Sequence, residues 1–481
     1  MTRYDLVIRG GTVATAADVT TCDIAVCDGR IVALGEDLGP AEEVIDARGM
    51  VVTPGGVDAH CHLDQPTSDG SRFADDFASG TISAAFGGTT TVIPFALQMR
   101  GQNLRDVVAD YHAKAAGKAV IDYGFHLILS DLTRPEIMQE LPALIAEGYT
   151  SFKVYMTYDD LKLSDRDILD VLDLARREGA MTMIHAENTD CIAWLTERML
   201  REGKTAPLYH ALSRPAAVER EATHRACTLA EIVGTTALIV HVSAGEAIEQ
   251  IRAARARGLR ILAETCPQYL FLTIDDLGGP GAQGMKCICS PPPRDKANQE
   301  LVWRALADNT FDILSSDHAP FSFDDAAGKQ RRGPDTPFTH VPNGVPGIET
   351  RMPLLFSEGV LKGRIGLSRF VALTSANAAR IYGLPRKGSL AVGADADIVI
   401  WDPEREVMIT NGRLHHRADY TPYEGRMVTG WPAVVLSRGT VVCRDGALLA
   451  RPGQGRFQAR SRPLTPATGG AADGYRGRPR G

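Results

Sequence analysis

The chain has 481 residues, 44% of them apolar and 23% charged, which is enough for one large α/β domain with a smaller one beside it and excludes wholesale disorder. A net charge of -7 argues against a nucleic-acid or anionic-membrane partner for the body of the protein, and no run approaches the roughly 20 apolar residues that span a bilayer. Nine scattered cysteines, an odd number, suit reduced thiols.

The opening "MTRYDLVIRGG" is strand-like and lacks the long apolar core of a signal peptide, so a cytoplasmic location is expected. The first fifty residues alternate in "YDLVIRGGTV", "DIAVCDGRIVALG" and "EEVIDARGMVV", short strands with Gly-containing turns. The same texture returns in "GSLAVGADADIVIWDP", "REVMIT" and "AVVLSRGTVVCRDG". Residues 1–52 and 385–451 are therefore expected to form one small β-sandwich built from both termini.

Residues 53–384 have another rhythm. Apolar runs recur at 56–62, 90–96, 122–129, 150–156, 181–187, 237–243, 259–264 and 311–317, with amphipathic helices between most of them. "DRDILDVLDLARREG" is such a helix, with apolar residues at Ile168, Leu169, Val171, Leu172 and Ala175. Ser243 and Glu246 predict a capping box after the sixth run. Eight strands alternating with helices is the count of a (β/α)8 TIM-like barrel. Cys287 and Cys289 form a C-x-C with no second pair and read as small core residues. From 452 to 481 the chain is rich in Gly, Pro and Arg; counted from Arg451, "RPGQGRFQARSRPLTPATGGAADGYRGRPRG" holds seven arginines against one aspartate. Such a segment cannot build a core, and a flexible, solvated tail is expected.

The chemistry-bearing residues cluster at strand ends. His60 and His62 close the first run, His185 the fifth, His241 the sixth and Asp317 the eighth. A barrel of this kind places its active site at the C-terminal ends of its strands. One such histidine would most often be a satisfied core residue; four with an aspartate at one mouth read as ligands. Imidazoles and a carboxylate suit Zn, Mn, Co or Ni, with zinc the first choice. Two divalent ions about 3.5–4 Å apart need a bridging anion, yet the fourth run, "TSFKVYM", offers only Lys153. An unpaired buried ammonium is costly. A neutral lysine amine that takes up carbon dioxide becomes a carbamate, a carboxylate on a long arm, and that would explain a lysine in this strand.

These features resemble the hydantoinase and dihydropyrimidinase branch of the amidohydrolase superfamily, over roughly residues 1–450. The resemblance is carried by "GGVDAHCHLD", "GGTTTVIPFA", "YTSFKVYMTY", "IHAEN", "VEREATHRA", "IVHVS", "AETCPQYL", "SPPPRD", "SSDHAPF" and "PNGVPGIE". It implies a binuclear metal site held by His60, His62, carboxylated Lys153, His185, His241 and Asp317, with Asp317 also moving protons. It further implies that Tyr158, Ser290 and Asn343 hold a small neutral cyclic ureide or imide, Tyr158 also stabilising the oxyanion, and that the product is an N-carbamoyl amino acid. A homo-oligomer, tetramer or dimer, is expected.

The loop "LDQPTSDGSRFADDF" departs from the branch, which commonly carries an apolar, Gly-Gly-rich tip there. It is expected to shape the pocket for the ring substituent, with Gln65 at its tip. Dihydroorotase is the nearest enzymatic rival, and allantoinase and cyclic-imide hydrolase are the open alternatives. Asp64, where dihydroorotases use an arginine to grip a carboxylate, counts against that enzyme. A non-catalytic scaffold of this fold would have lost ligands, and here all six positions are intact.

Overall fold

A computed structural model of the chain describes residues 3–463. The two ends of the chain build one nine-stranded sheet. Its central strand, Val51–Pro54, runs parallel to Tyr4–Ala14 on one side and antiparallel to Ile398–Met408 on the other. Leu6, Ile8, Ile24 and Val26 from the N-terminal half share a core with Ile398, Ile400 and Leu436 from the C-terminal half. The expected sandwich is thus a continuous sheet whose two halves enclose common apolar side chains. Its central strand leads straight into the barrel.

All eight apolar runs of the middle segment contribute parallel strands to that barrel. Short strands at Gly56–Asp58, Thr89–Val92 and Asp122–Tyr123 pair as one group. The remaining path runs from Phe95–Leu97 through His126–Ile128, Ser151–Tyr155, Met181–His185, Ala237–Ile239 and Ile261–Thr265 to Ile313–Leu314. A parallel bridge between Cys61 and His318 joins the first strand's continuation to the eighth and closes the ring. Alternation along each strand divides the side chains between two cores. Val57, Phe95, Ile128, Met181, Met183, Leu238 and Ile313 fill the interior. Phe152, Val154, Ile184 and Ile239 face outward onto the helices.

The helix expected after the fourth strand is Asp165–Glu178. Ser164 caps it in a capping box with Asp167, and Gly179 ends it at φ 74°. Ile168, Val171, Leu172 and Ala175 are buried, as the pattern requires. The capping box expected at Ser243 and Glu246 is absent. The helix Gly245–Ala256 starts after Ala244, the Ser243 hydroxyl donates to Glu219 Oε2 at 2.6 Å, and Glu246 pairs with Arg220 at 2.7 Å. A buried glutamate from the preceding helix outcompetes the local cap.

The solvated tail expected from 452 does not hold for its first part. Residues 452–463 lie across the N-terminal ends of the barrel strands, opposite the mouth. Gly455 N–H donates to Ala119 O at 2.9 Å, Tyr123 N–H to Arg456 O at 3.0 Å and Gln458 N–H to Tyr123 O at 2.7 Å. Arg460 is buried and donates to Ser151 Oγ at 2.6 Å and to the Phe125 carbonyl. Phe457 packs against His112, Phe125 and Tyr149. The rest of the expected tail, 464–481, lies outside the described residues. All nine cysteines are free, and among the described residues no helix is long and apolar enough to cross a membrane.

Candidate active site

The barrel mouth gathers the six expected metal ligands and the three expected substrate-holding residues. His60 and His62 follow the first strand, with Cys61 between them packed outward. Alternation in Ser151–Tyr155 sends Lys153 inward, and in Met181–His185 it does the same for His185 behind Met181 and Met183. Val240 belongs to the interior core, so regular alternation would turn His241 away from the mouth. Its φ of 38° breaks the alternation, and His241 lines the cavity. Asp317 at φ 46° and Tyr158 at φ 68° share this left-handed conformation, uncommon for residues other than glycine and concentrated at functional sites.

The donor atoms converge. Lys153 Nζ is 2.8 Å from His60 Nε2, and Asp317 Oδ1 is 3.1 Å from that same nitrogen and 3.3 Å from His62 Nε2. Potential ligand atoms of His60, His62 and Asp317 all lie within 4.8 Å of one another. The His185 and His241 rings stand 4.4 Å apart, and that of His241 is 5.3 Å from His60. Lys153 is 1% exposed, with the rings of Phe95 and Tyr155 centred 4.4 and 4.9 Å from its nitrogen. Burial pulls its ammonium down to about 8, against the pull of the Asp317 and Glu264 carboxylates. Burial alone would raise the Asp317 carboxyl, yet the His60, His62 and His241 rings hold it well below the usual range.

Buried partners not recognised in the sequence as part of the site orient these rings. Glu264 Oε1, from the seventh strand, is 2.6 Å from His60 Nδ1 and accepts the His241 N–H at 3.2 Å. Glu187 Oε2 is 2.8 Å from His185 Nε2. A carboxylate on one ring nitrogen fixes the tautomer and leaves the other nitrogen for a metal. The available signal was an acidic residue closing the fifth and the seventh apolar runs, Glu187 and Glu264. Gln65 Oε1 is 2.8 Å from His62 Nδ1, so the residue expected only to shape the substituent pocket also holds a candidate ligand. Asp64 is directed elsewhere: it lines a separate cavity with Arg72 and Asp76, its carboxylate 4.0 Å from Lys118. Its charge therefore does not face the metal-ligand candidates, and the case against dihydroorotate rests on the missing arginine and not on repulsion by Asp64.

The cavity holds about 550 Å³. His62, Lys153, His185, His241 and Asp317 form its floor, and Tyr158, Ser290 and Asn343 its wall. Asn343 Nδ2 donates to the Tyr158 hydroxyl at 3.4 Å. Burial pushes the Tyr158 phenol up to about 12, so it stays a hydrogen-bond donor at neutral pH. The rim is polar, with Thr67, Ser68, Asp69, Arg100 and Asp160. Ser68 Oγ donates to Asp160 Oδ2 at 2.6 Å, and Arg331 pairs with Asp69 at 2.6 Å. Converging imidazoles, a carboxylate and a lysine with a weakened ammonium fit divalent metal ions better than a structural hydrogen-bond network. Such a network has no need to aim three groups at His60 Nε2 and Asp317 Oδ1.

A sequence model of the amidohydrolase family matches residues 51–442. The chain is 47% identical to a D-hydantoinase of Geobacillus stearothermophilus, over 95% of this chain and 96% of that protein. It is 42% identical to a D-phenylhydantoinase of Escherichia coli, over 96% and 99%. It superposes on the crystal structure of a dihydropyrimidinase from Brevibacillus agri with a TM-score of 0.92, at 44% identity, covering 96% of this chain and 99% of that one.

Proposed function

Because the chain belongs to the amidohydrolase family, in its hydantoinase and dihydropyrimidinase branch, we propose that it opens the cyclic amide bond of hydantoins or dihydropyrimidines to give N-carbamoyl amino acids. The observation that carries this is the convergence of Lys153, His60, His62 and Asp317 on one point in the floor of a cavity whose wall holds Tyr158.

In this reading His60, His62, Lys153, His185, His241 and Asp317 hold two divalent ions, zinc first, with manganese, cobalt or nickel as alternatives. Lys153 serves as its carbamate: the neutral amine bonds to carbon dioxide, releases a proton and leaves an anion able to bridge. Its burial and weakened ammonium supply the neutral amine from which that form is made. Bound there, the ions would lower the pKa of water and polarise the ring carbonyl. Asp317 accepts the proton of the attacking water and returns it to the ring nitrogen as the C–N bond breaks. The Tyr158 hydroxyl donates to the oxygen on which negative charge develops. Ser290 and Asn343 hold the amide edge of the ring, so that the carbonyl meets the floor in one orientation.

The polar rim favours a second reading within the same chemistry, a ring with a polar substituent as in allantoin or a cyclic imide. A scaffold role is disfavoured by the intact ligand set. The free cysteines support a reducing compartment such as the cytoplasm, and a homo-oligomer, dimer or tetramer, is proposed from the resemblance to the family alone. The deciding experiment is elemental analysis of active protein beside a panel of hydantoin, dihydrouracil, allantoin, succinimide and dihydroorotate. Two metals per chain and turnover of neutral rings are expected. A metal-loaded protein inert to all of them would overturn the reading.

A further inference from the structure

Lys329 is 0% exposed and has no role in the chemistry above. It lies on the long segment after the eighth strand, where its Nζ donates to Ile288 O and to Pro342 O, each at 3.0 Å. No carboxylate among the described residues pairs with it, and burial pulls its ammonium down to about 7. Two neutral carbonyls compensate a buried lysine poorly, and an apolar side chain of similar length would be cheaper to fold around. Something other than stability accounts for it. The two carbonyls show what that is. Ile288 stands two residues before Ser290 and Pro342 one before Asn343. Ile288 O also accepts the Gly344 N–H at 3.1 Å. One amine behind the cavity wall thus joins the two segments that carry Ser290 and Asn343.

We infer that Lys329 is a positioning residue for ring binding: by tying Ile288 O to Pro342 O it sets the spacing at which Ser290 and Asn343 meet the amide edge of the substrate. The inference rests on the reading of those two residues as the ones that hold the ring. Methionine keeps the unbranched stem of lysine without its terminal amine and donates nothing. Lys329→Met should therefore raise KM for the preferred ring on the order of tenfold, the loss of two buried hydrogen bonds, while kcat and metal content stay within about twofold. A merely structural lysine would lower both or release metal. Lys329→Gln, whose amide keeps one N–H for each carbonyl, should fall between the two, and it decides the question by the same readout where the methionine variant does not fold. In combination with Asn343→Ala the KM effects should be less than multiplicative, because both changes act on one contact. An unchanged KM in Lys329→Met and Lys329→Gln, with Asn343→Ala impaired, overturns the inference alone. So do fully multiplicative effects, or metal loss with a falling kcat. An unchanged KM in Asn343→Ala overturns the ring-holding reading and this inference with it.

Discussion

His60 Nδ1 lies 2.6 Å from Glu264 Oε1, with both side chains fully buried, and the same oxygen accepts the backbone N–H of His241. One carboxylate therefore sets the ring of one candidate ligand and the backbone of another, fixing the angle between the first and sixth strands' contributions. Loss of such outer partners costs roughly 10–100-fold in metal affinity. Glu264→Ala should fall in that range, and Glu264→Gln, which can still accept a hydrogen bond, should fall less. Competition with a chelator, followed by metal counting, checks this; a wild-type affinity in the alanine variant would show that the His60 ring is held by packing alone.

Gln65 bears on two functions at once, since it lines the cavity and its Oε1 is 2.8 Å from His62 Nδ1. On its position in the loop alone, Gln65→Leu would change the preference among ring substituents and spare the unsubstituted ring. With the His62 contact, the loss should extend to every ring and be accompanied by weaker metal retention. Kinetics on unsubstituted and bulky hydantoins, with metal content measured on the same preparations, separates the two effects. A change confined to bulky rings would mean that the contact to His62 is dispensable.

Tyr158→Phe removes only the hydroxyl. Donors aimed at a developing oxyanion are worth about 10²–10³ in kcat. The variant should lose that much kcat with both metals in place, and KM should move little. The left-handed φ of 68° at Tyr158 is a backbone property that phenylalanine retains, so the ring position should be kept. A fall in KM-dependent binding alone would reassign the residue to ground-state holding.

The barrel was legible because its eight strands are buried on both faces and read as apolar runs, and because charged or imidazole side chains at their C-terminal ends have few bland explanations. Lys153 announced itself by being a cation in such a run. Other features left no local trace. The inward turn of His241 depends on a φ of 38° that no residue pattern encodes. Ser243 looked like a cap, but Glu219, 24 positions away, takes its hydroxyl. The segment 452–463 across the N-terminal ends of the strands is held by backbone bonds to remote residues and by Arg460, so its Gly, Pro and Arg composition resembled a solvated tail. Periodicity reports burial within an element, and these contacts join elements.

The lowered pKa of Lys329 has a consequence for stability. Burial brings the folded-state value to about 7 from the ordinary 10.5. Between those values the unfolded chain binds a proton that the folded one does not, so stability rises with pH through the window. The cost of the buried charge is present in full below about 7 and is gone above the ordinary value. Burial pushes the Cys287 thiol up to about 12, and Cys289 is raised as well, so neither neighbour titrates in between. The Tm of the unmodified protein should therefore gain on that of Lys329→Met as pH is taken from about 6.5 to about 9. A constant difference across that range would mean that the lysine keeps its proton when folded.

Lys153 is where the proposed metal chemistry is tested. Its nitrogen sits 2.8 Å from His60 Nε2 and is 1% exposed, and burial, against the attraction of the neighbouring rings and carboxylates, pulls its ammonium down to about 8, toward the neutral amine that a carbamate requires. If the proposed carbamate bridges the metals, Lys153→Ala removes that bridge while leaving the strand pairing intact, so the protein should fold, lose most of its metal and lose nearly all activity. Lys153→Arg should fail as well, because a guanidinium keeps its charge and cannot take up carbon dioxide. A small carboxylic acid added to the alanine variant can occupy the vacated bridge and should restore part of both metal and turnover. Carbon NMR after exposure to labelled carbon dioxide should show a carbamate resonance in the unmodified protein and none in either variant. An active, metal-loaded Lys153→Arg protein would mean that no carbamate is required, and that the lysine reaches the mouth only to place a charge there.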